Sequence, residues 1–116
     1  MTGQVIPLEQ RRAPRKRTAS SPLVTDTINA RPLGYLCNLS ASGVLLLTGE
    51  RPHSEAVFQV RLPLAGAPGG ASTIEIGLQE QWQQPAASPG QIWVGYRIIS
   101  IAPEDAVALV QWLQRA

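Results

Sequence analysis

The sequence predicts a mainly β protein, a six-stranded antiparallel β-barrel with one C-terminal α-helix and a flexible N-terminal arm. Three observations lead there. Apolar and polar residues alternate with period two along several stretches of nine to eleven residues, the mark of strands with one buried face. Turn residues recur between those stretches at short intervals, with no helix-length pattern separating them. Only the last dozen residues switch to a period near 3.6.

Residues 1–20 have no apolar periodicity and contain Pro7 and Pro14, so they form the arm and leave 21–116 for the barrel. Leu23–Asn29, Leu33–Asn38 and Gly43–Thr48 are the first strand candidates, the last apolar enough to be buried on both faces. In Ala56–Leu64 one face reads Ala56, Phe58, Val60, Leu62, Leu64. In Ser72–Trp82, Ile74, Ile76, Leu78 and Trp82 point one way, and Thr73, Glu75, Gln79 and Gln81 the other. Gln91–Ile99 continues the pattern with Ile92, Val94, Tyr96 and Ile98. Asn29–Pro32, Gly49–Pro52, Ala65–Gly70 and Pro85–Gly90 supply the reversals. Six short antiparallel strands favour a barrel or sandwich, and closure removes exposed sheet edges. The helix is expected over about 103–115. Pro103 suits its first position, Glu104 and Asp105 its positive end, and Val107, Val110 and Leu113 its buried stripe, widened by Ala106 and Leu109.

At 116 residues, 44% of them apolar, the chain has material for one core and little room for a second domain. Apolar runs such as Val44–Leu47 are far too short to cross a bilayer, so no membrane insertion is expected. The opening MTGQVIPLEQ lacks the apolar stretch of a secretory signal, and one cysteine, Cys37, cannot form an internal disulfide. A cytoplasmic setting is the expectation. Net charge is +2, and its distribution says more than its size. Five cations in QRRAPRKR (10–17) face Glu9 alone in the first 20 residues, while the remaining chain sets five arginines against seven acids. A basic arm on a slightly acidic body points to a local anion site or to a tail, not to a broad polyanion surface.

Catalytic chemistry finds no constellation. His53, the single histidine, sits in the turn Arg51–Ser54 without a carboxylate or cysteine partner nearby in sequence, which leaves no metal site or triad. Cys37 lies among apolar neighbours and reads as a small core residue. The Gly66–Gly70 loop has no Lys-Ser/Thr and no following helix, so it is a hairpin turn and not a phosphate loop. No enzyme activity, metal or cofactor is expected.

Two short motifs carry the functional reading. Arg11-Arg12-Ala13-Pro14-Arg15 has the form RxxxR, and Asn38-Leu39-Ser40-Ala41-Ser42-Gly43 has the form [D/N]xSxxG, at the junction of two strand candidates. Their order and spacing, with a strand hairpin between, resemble the PilZ domain. The resemblance runs from Gln10 to the end, taking in Trp93-Val94-Gly95-Tyr96-Arg97-Ile98 as a late strand and the terminal helix. PilZ domains are receptors for cyclic di-GMP, a bacterial second messenger of two guanosines joined by two phosphates. The resemblance implies that Arg11 and Arg15 form the ligand-gripping pair, with Arg12 as a third contact. A planar guanidinium meets phosphate oxygens or the guanine N7/O6 edge with two parallel bonds. It also implies that Asn38 and Ser40 contact guanine or phosphate and that Gly43 admits close approach. Trp82 has two readings, a stacking platform for guanine or packing at a rim.

The resemblance thus implies a cyclic di-GMP receptor whose arm orders over the ligand and signals to another protein. Two other classes stand beside it: a PilZ-like protein–protein adaptor without nucleotide binding, and a small basic-armed barrel for nucleic acid. An aromatic content of 5% and an acidic body argue against DNA or RNA, which single-strand binders grip with several stacking platforms.

Overall fold

The structure, a computed structural model, describes residues 15–17, 22–64 and 72–114, with Arg15–Arg17 and Ser72 placed by their backbone. Seven strands and one helix follow in chain order: β1 (Arg15–Arg17), β2 (Leu23–Asp26), β3 (Arg31–Ser40), β4 (Gly43–Thr48), β5 (Val57–Leu64), β6 (Ser72–Pro85), β7 (Ile92–Ile101) and α1 (Pro103–Gln114). Pairing runs β3–β2–β5–β6–β7–β4, and β4 pairs back onto β3. The result is a closed six-stranded antiparallel barrel with a C-terminal helix, as the alternation predicts. Among the described residues no helix is long and apolar enough to cross a membrane.

The predicted faces form the core. Val60, Leu62, Leu64, Ile74, Ile76, Leu78 and Val94 are all at most 1% exposed, and Tyr96 closes the layer against Phe58, edge to face. Fully burying such an aliphatic side chain contributes about 1.5–3 kcal/mol, so the cluster outweighs any single surface interaction. Both faces of β4 were expected to be buried. In the structure Val44 and Leu46 point in, while Leu45 and Leu47 are only half-buried on the outside.

Three expectations change. The reversal after β2 comes earlier than Asn29–Pro32, because Asp26 ends the strand. Its side-chain oxygens accept bonds from Ile28 N, Asn29 N and Asn29 Nδ2, and Ala30 completes the turn at φ 55°. On α1, Leu109 and Trp112 are the buried residues, whereas Val107 and Val110 are exposed. A buried tryptophan removes about 150–250 Å² from water, more than a valine can, and so sets the rotation of the helix. Arg115 and the 65–70 turn lie outside the described residues. Finally, part of the predicted arm is sheet. β2 covers the edge of β3 only over Arg31–Tyr35, and β1 pairs with the rest of that edge over Asn38–Ser40, supplying partners for backbone groups there.

Asp26 is 1% exposed. Burial opposes its ionisation, but the bonds from Asn29 and Ile28, with Arg31 nearby, hold its pKa below the ordinary value. A depressed carboxylate stabilises the fold above its unfolded pKa, and that contribution disappears as pH falls through the ordinary range toward the lower folded value. Asp26→Ala is expected to cost about 1–3 kcal/mol at neutral pH, the cost of buried donors left unpaired. Denaturant unfolding at pH 7 and pH 3 should show the gap between wild type and variant narrowing in acid. An equal gap at both pH values would contradict the role.

Candidate ligand-binding surface

The Asn38–Gly43 motif spans the end of β3, the two-residue turn Ala41–Ser42 and the first residue of β4. Its shape comes from Ser40, whose side chain is fully buried. Ser40 Oγ accepts from Gly43 N at 3.1 Å and Ser42 N at 3.3 Å, and it donates to Gly43 O at 3.4 Å. The hydroxyl is thus committed to holding the turn. Gly43 faces the neighbouring strand: a Cβ there would sit 2.9 Å from the Tyr96 carbonyl oxygen, so the missing side chain lets β4 close on β7. Ile98 N then donates to Ser42 O at 2.9 Å, tying the motif loop to β7.

Register extends this site sideways. Arg15 is opposite Ser40 and Arg17 opposite Asn38 in the β1–β3 ladder. One row continues from Arg17 through Asn38, Leu45 and Gly95 to Trp82, crossing β1, β3, β4, β7 and β6. Leu39, Val44, Leu46, Val94 and Tyr96, the neighbours along those strands, are buried in the core, so the row from Asn38 to Trp82 faces outward. From Asn38 to Trp82 is three inter-strand steps, about 14 Å along the surface.

Trp82 is a further correction. Simple alternation puts it on the Ile74–Leu78 face, but the β6–β7 register shifts between Glu80 and Trp82. The extra residue, Gln81, turns Trp82 outward, where it is 48% exposed. Its indole lies against Gly95 so closely that a Cβ at 95 would occupy the position of Nε1 and Cε2. Glycine is therefore the seat of the ring, and one aromatic surface remains open to solvent. The same bulge leaves Glu80 inside, 4% exposed, accepting a 2.8 Å bond from Glu55 N. Tyr96 lies opposite it, and burial together with the Glu80 charge pushes its hydroxyl pKa up.

Among solved structures, the chain is similar to the Bacillus subtilis inhibitor of motility (MotI/DgrA), with a TM-score of 0.73 and 17% sequence identity. The match covers 90% of this chain and 50% of that one, so the chain spans about half the length of its neighbour. The likeness is one of fold. No protein-family model matches the chain, and no curated protein does either.

Of the residues singled out from sequence, Asn38, Ser40 and Gly43 share one loop, Trp82 lies on the same outer row, and the backbone of Arg15 pairs beside them. Arg11 and Arg12 lie outside the described residues. Cys37 is half-buried and not in the core, because it is the extra residue of a bulge between Leu36 and Asn38. Burial pushes its thiol pKa up, which suits an inert group. A cleft of about 680 Å³ opens at the other end of β3, lined by Arg31, Leu33, Tyr35, Arg51, His53 and Phe58 among others, and it includes none of the predicted site residues. Gly95 as a seat for Trp82 escaped sequence reasoning because the contact depends on cross-strand register.

Proposed function

We propose that this chain is a PilZ-type receptor, not an enzyme, that binds cyclic di-GMP between the arm and the outward row of the barrel. The observation that carries the reading is the register, which sets Arg15 and Arg17 against the strand end bearing the Asn38–Gly43 motif. A dinucleotide with two phosphates and two guanines needs cationic forks and an aromatic platform within one span. The arm offers the first and Trp82, seated on Gly95, the second. Arg11 and Arg15 grip phosphate and guanine edges, and Arg12 adds a third contact. The Asn38 amide meets a base or phosphate, and Ser40 acts by holding the Ser42 and Gly43 backbone in place.

Closing the arm costs about 1–2 kcal/mol per residue ordered, which charge-assisted bonds to the ligand offset. Binding therefore fastens the arm on either side of β1 over the ligand and reshapes one barrel face for a downstream protein. A structural neighbour named for inhibiting motility supports an output through another protein.

Calorimetric titration of the wild-type chain with cyclic di-GMP is expected to give saturable heat, and Ser40→Ala to weaken binding by roughly tenfold, one hydrogen bond's net worth and more. Hydrogen exchange should slow across residues 8–18 at saturating ligand, and unchanged exchange there would remove the arm from the site. Absent heat would leave the adaptor reading. A steep salt dependence with little preference among guanine nucleotides would indicate nucleic acid instead.

A further inference from the structure

Among the described cations outside both motifs, Arg97 is the one directly opposite the motif residue Gly43. In the β4–β7 ladder it comes one residue before the Ile98 N to Ser42 O bond that ties the motif loop down. Its neighbour Tyr96 is buried, and Arg97 itself is exposed on the outer face. Two residues back on that same face is Gly95, carrying the Trp82 indole. Same-face neighbours on a strand are about 6.6 Å apart, within reach of an arginine side chain. Arg97 thus stands between the motif loop and the aromatic platform.

The charge of Arg97 has no carboxylate partner among the described residues. Its Nη2 donates to Gln79 Oε1 at 3.1 Å, an exposed contact with a neutral amide. Arg61, by contrast, faces Glu75 at 3.9 Å. An exposed arginine held by one neutral acceptor keeps most of its fork available to a ligand.

We infer that Arg97 is a specificity-determining residue that reads the N7/O6 edge of the guanine stacked on Trp82. A base lying on the open face of the indole has its edges in the plane just above the sheet, where the Arg97 fork can supply two parallel donors. Adenine presents N7 beside an amino donor, which repels one arm of that fork. This inference rests on the cyclic di-GMP reading and adds to it a residue outside both motifs.

A two-by-two cycle tests it by calorimetry: wild type and Arg97→Ala, each titrated with cyclic di-GMP and with the analogue in which both N7 atoms are replaced by C–H. Arg97→Ala is expected to weaken cyclic di-GMP binding by about 10- to 100-fold, the range for a bidentate guanine contact. The penalty for removing N7 should be at least about fivefold smaller in the variant than in wild type, since contacting groups are non-additive. Arg97→Lys should fall between wild type and the alanine variant, because an ammonium keeps the charge and a donor but has no planar fork. Equal N7 penalties in wild type and Arg97→Ala would overturn the assignment while leaving the receptor reading intact, and a phosphate contact would give that result. Failure of wild type to bind either ligand would overturn both. An unchanged melting temperature for Arg97→Ala, expected for an exposed side chain, shows that a loss of affinity is not a loss of fold.

Discussion

Arg15→Ala is expected to lower affinity for cyclic di-GMP by roughly 30- to 150-fold, corresponding to about 2–3 kcal/mol for charge-assisted bonds to an anion. The position is set by the β1–β3 ladder, in which Arg15 is opposite Ser40, the residue that holds the motif turn. Backbone pairing does not depend on the side chain, so barrel stability should stay within about 0.5 kcal/mol of wild type. Arg15→Lys separates charge from geometry. It retains the long-range attraction of the arm but loses the planar fork, and an affinity between those of wild type and Arg15→Ala is expected. Calorimetry on the three proteins decides the matter. Wild-type affinity in Arg15→Ala would mean that the arm is not one wall of the site.

Gly95→Val carries the second large effect, and it should appear in binding more than in folding. The new Cβ falls inside the Trp82 indole, so the ring must leave its seat. Since Trp82 is already 48% exposed, it can swing into solvent at modest cost to stability. The platform is then gone, and base stacking worth about 1–3 kcal/mol is lost with it, a drop of roughly 5- to 150-fold in affinity. Trp82→Ala should lose the same amount, and the double variant no more than either alone, because both substitutions remove one contact. Additive losses from Gly95→Val and Trp82→Ala would show that the glycine acts elsewhere. Against this, packing at a rim, the other sequence reading of Trp82, predicts lower melting temperatures with unchanged ligand affinity.

Parts of the candidate site were legible before the fold. Asn38, Ser40 and Gly43 stand out as a motif, and the five cations of residues 10–17 stand out as charge. Their jobs were less legible. Ser40 and Gly43 are expected to contact ligand, and the structure gives each a second job: the Ser40 hydroxyl accepts from two backbone amides and Gly43 leaves room for the Tyr96 carbonyl. The Ser40 bonds are local to SASG, the kind a serine makes to the backbone of its own turn, whereas the Gly43 contact is not, because the β7 strand it meets lies some fifty residues further along. Arg97 was visible only as part of a late strand, and its position opposite Gly43 is a fact of pairing.

By itself the sequence determined the strands whose alternation is unbroken, the start of α1 at Pro103, the basic arm and the order of the two motifs. Each of these is encoded within a few residues by side-chain period, fixed proline geometry or charge. Only the tertiary structure decided that β4 closes on β3, that β1 takes the free end of the β3 edge, and that Trp82 points outward onto Gly95. The reason is physical. One extra residue in a ladder, at Cys37 or Gln81, reverses which face every later side chain occupies, and whether such a bulge forms depends on the partner strand and the closure of the barrel.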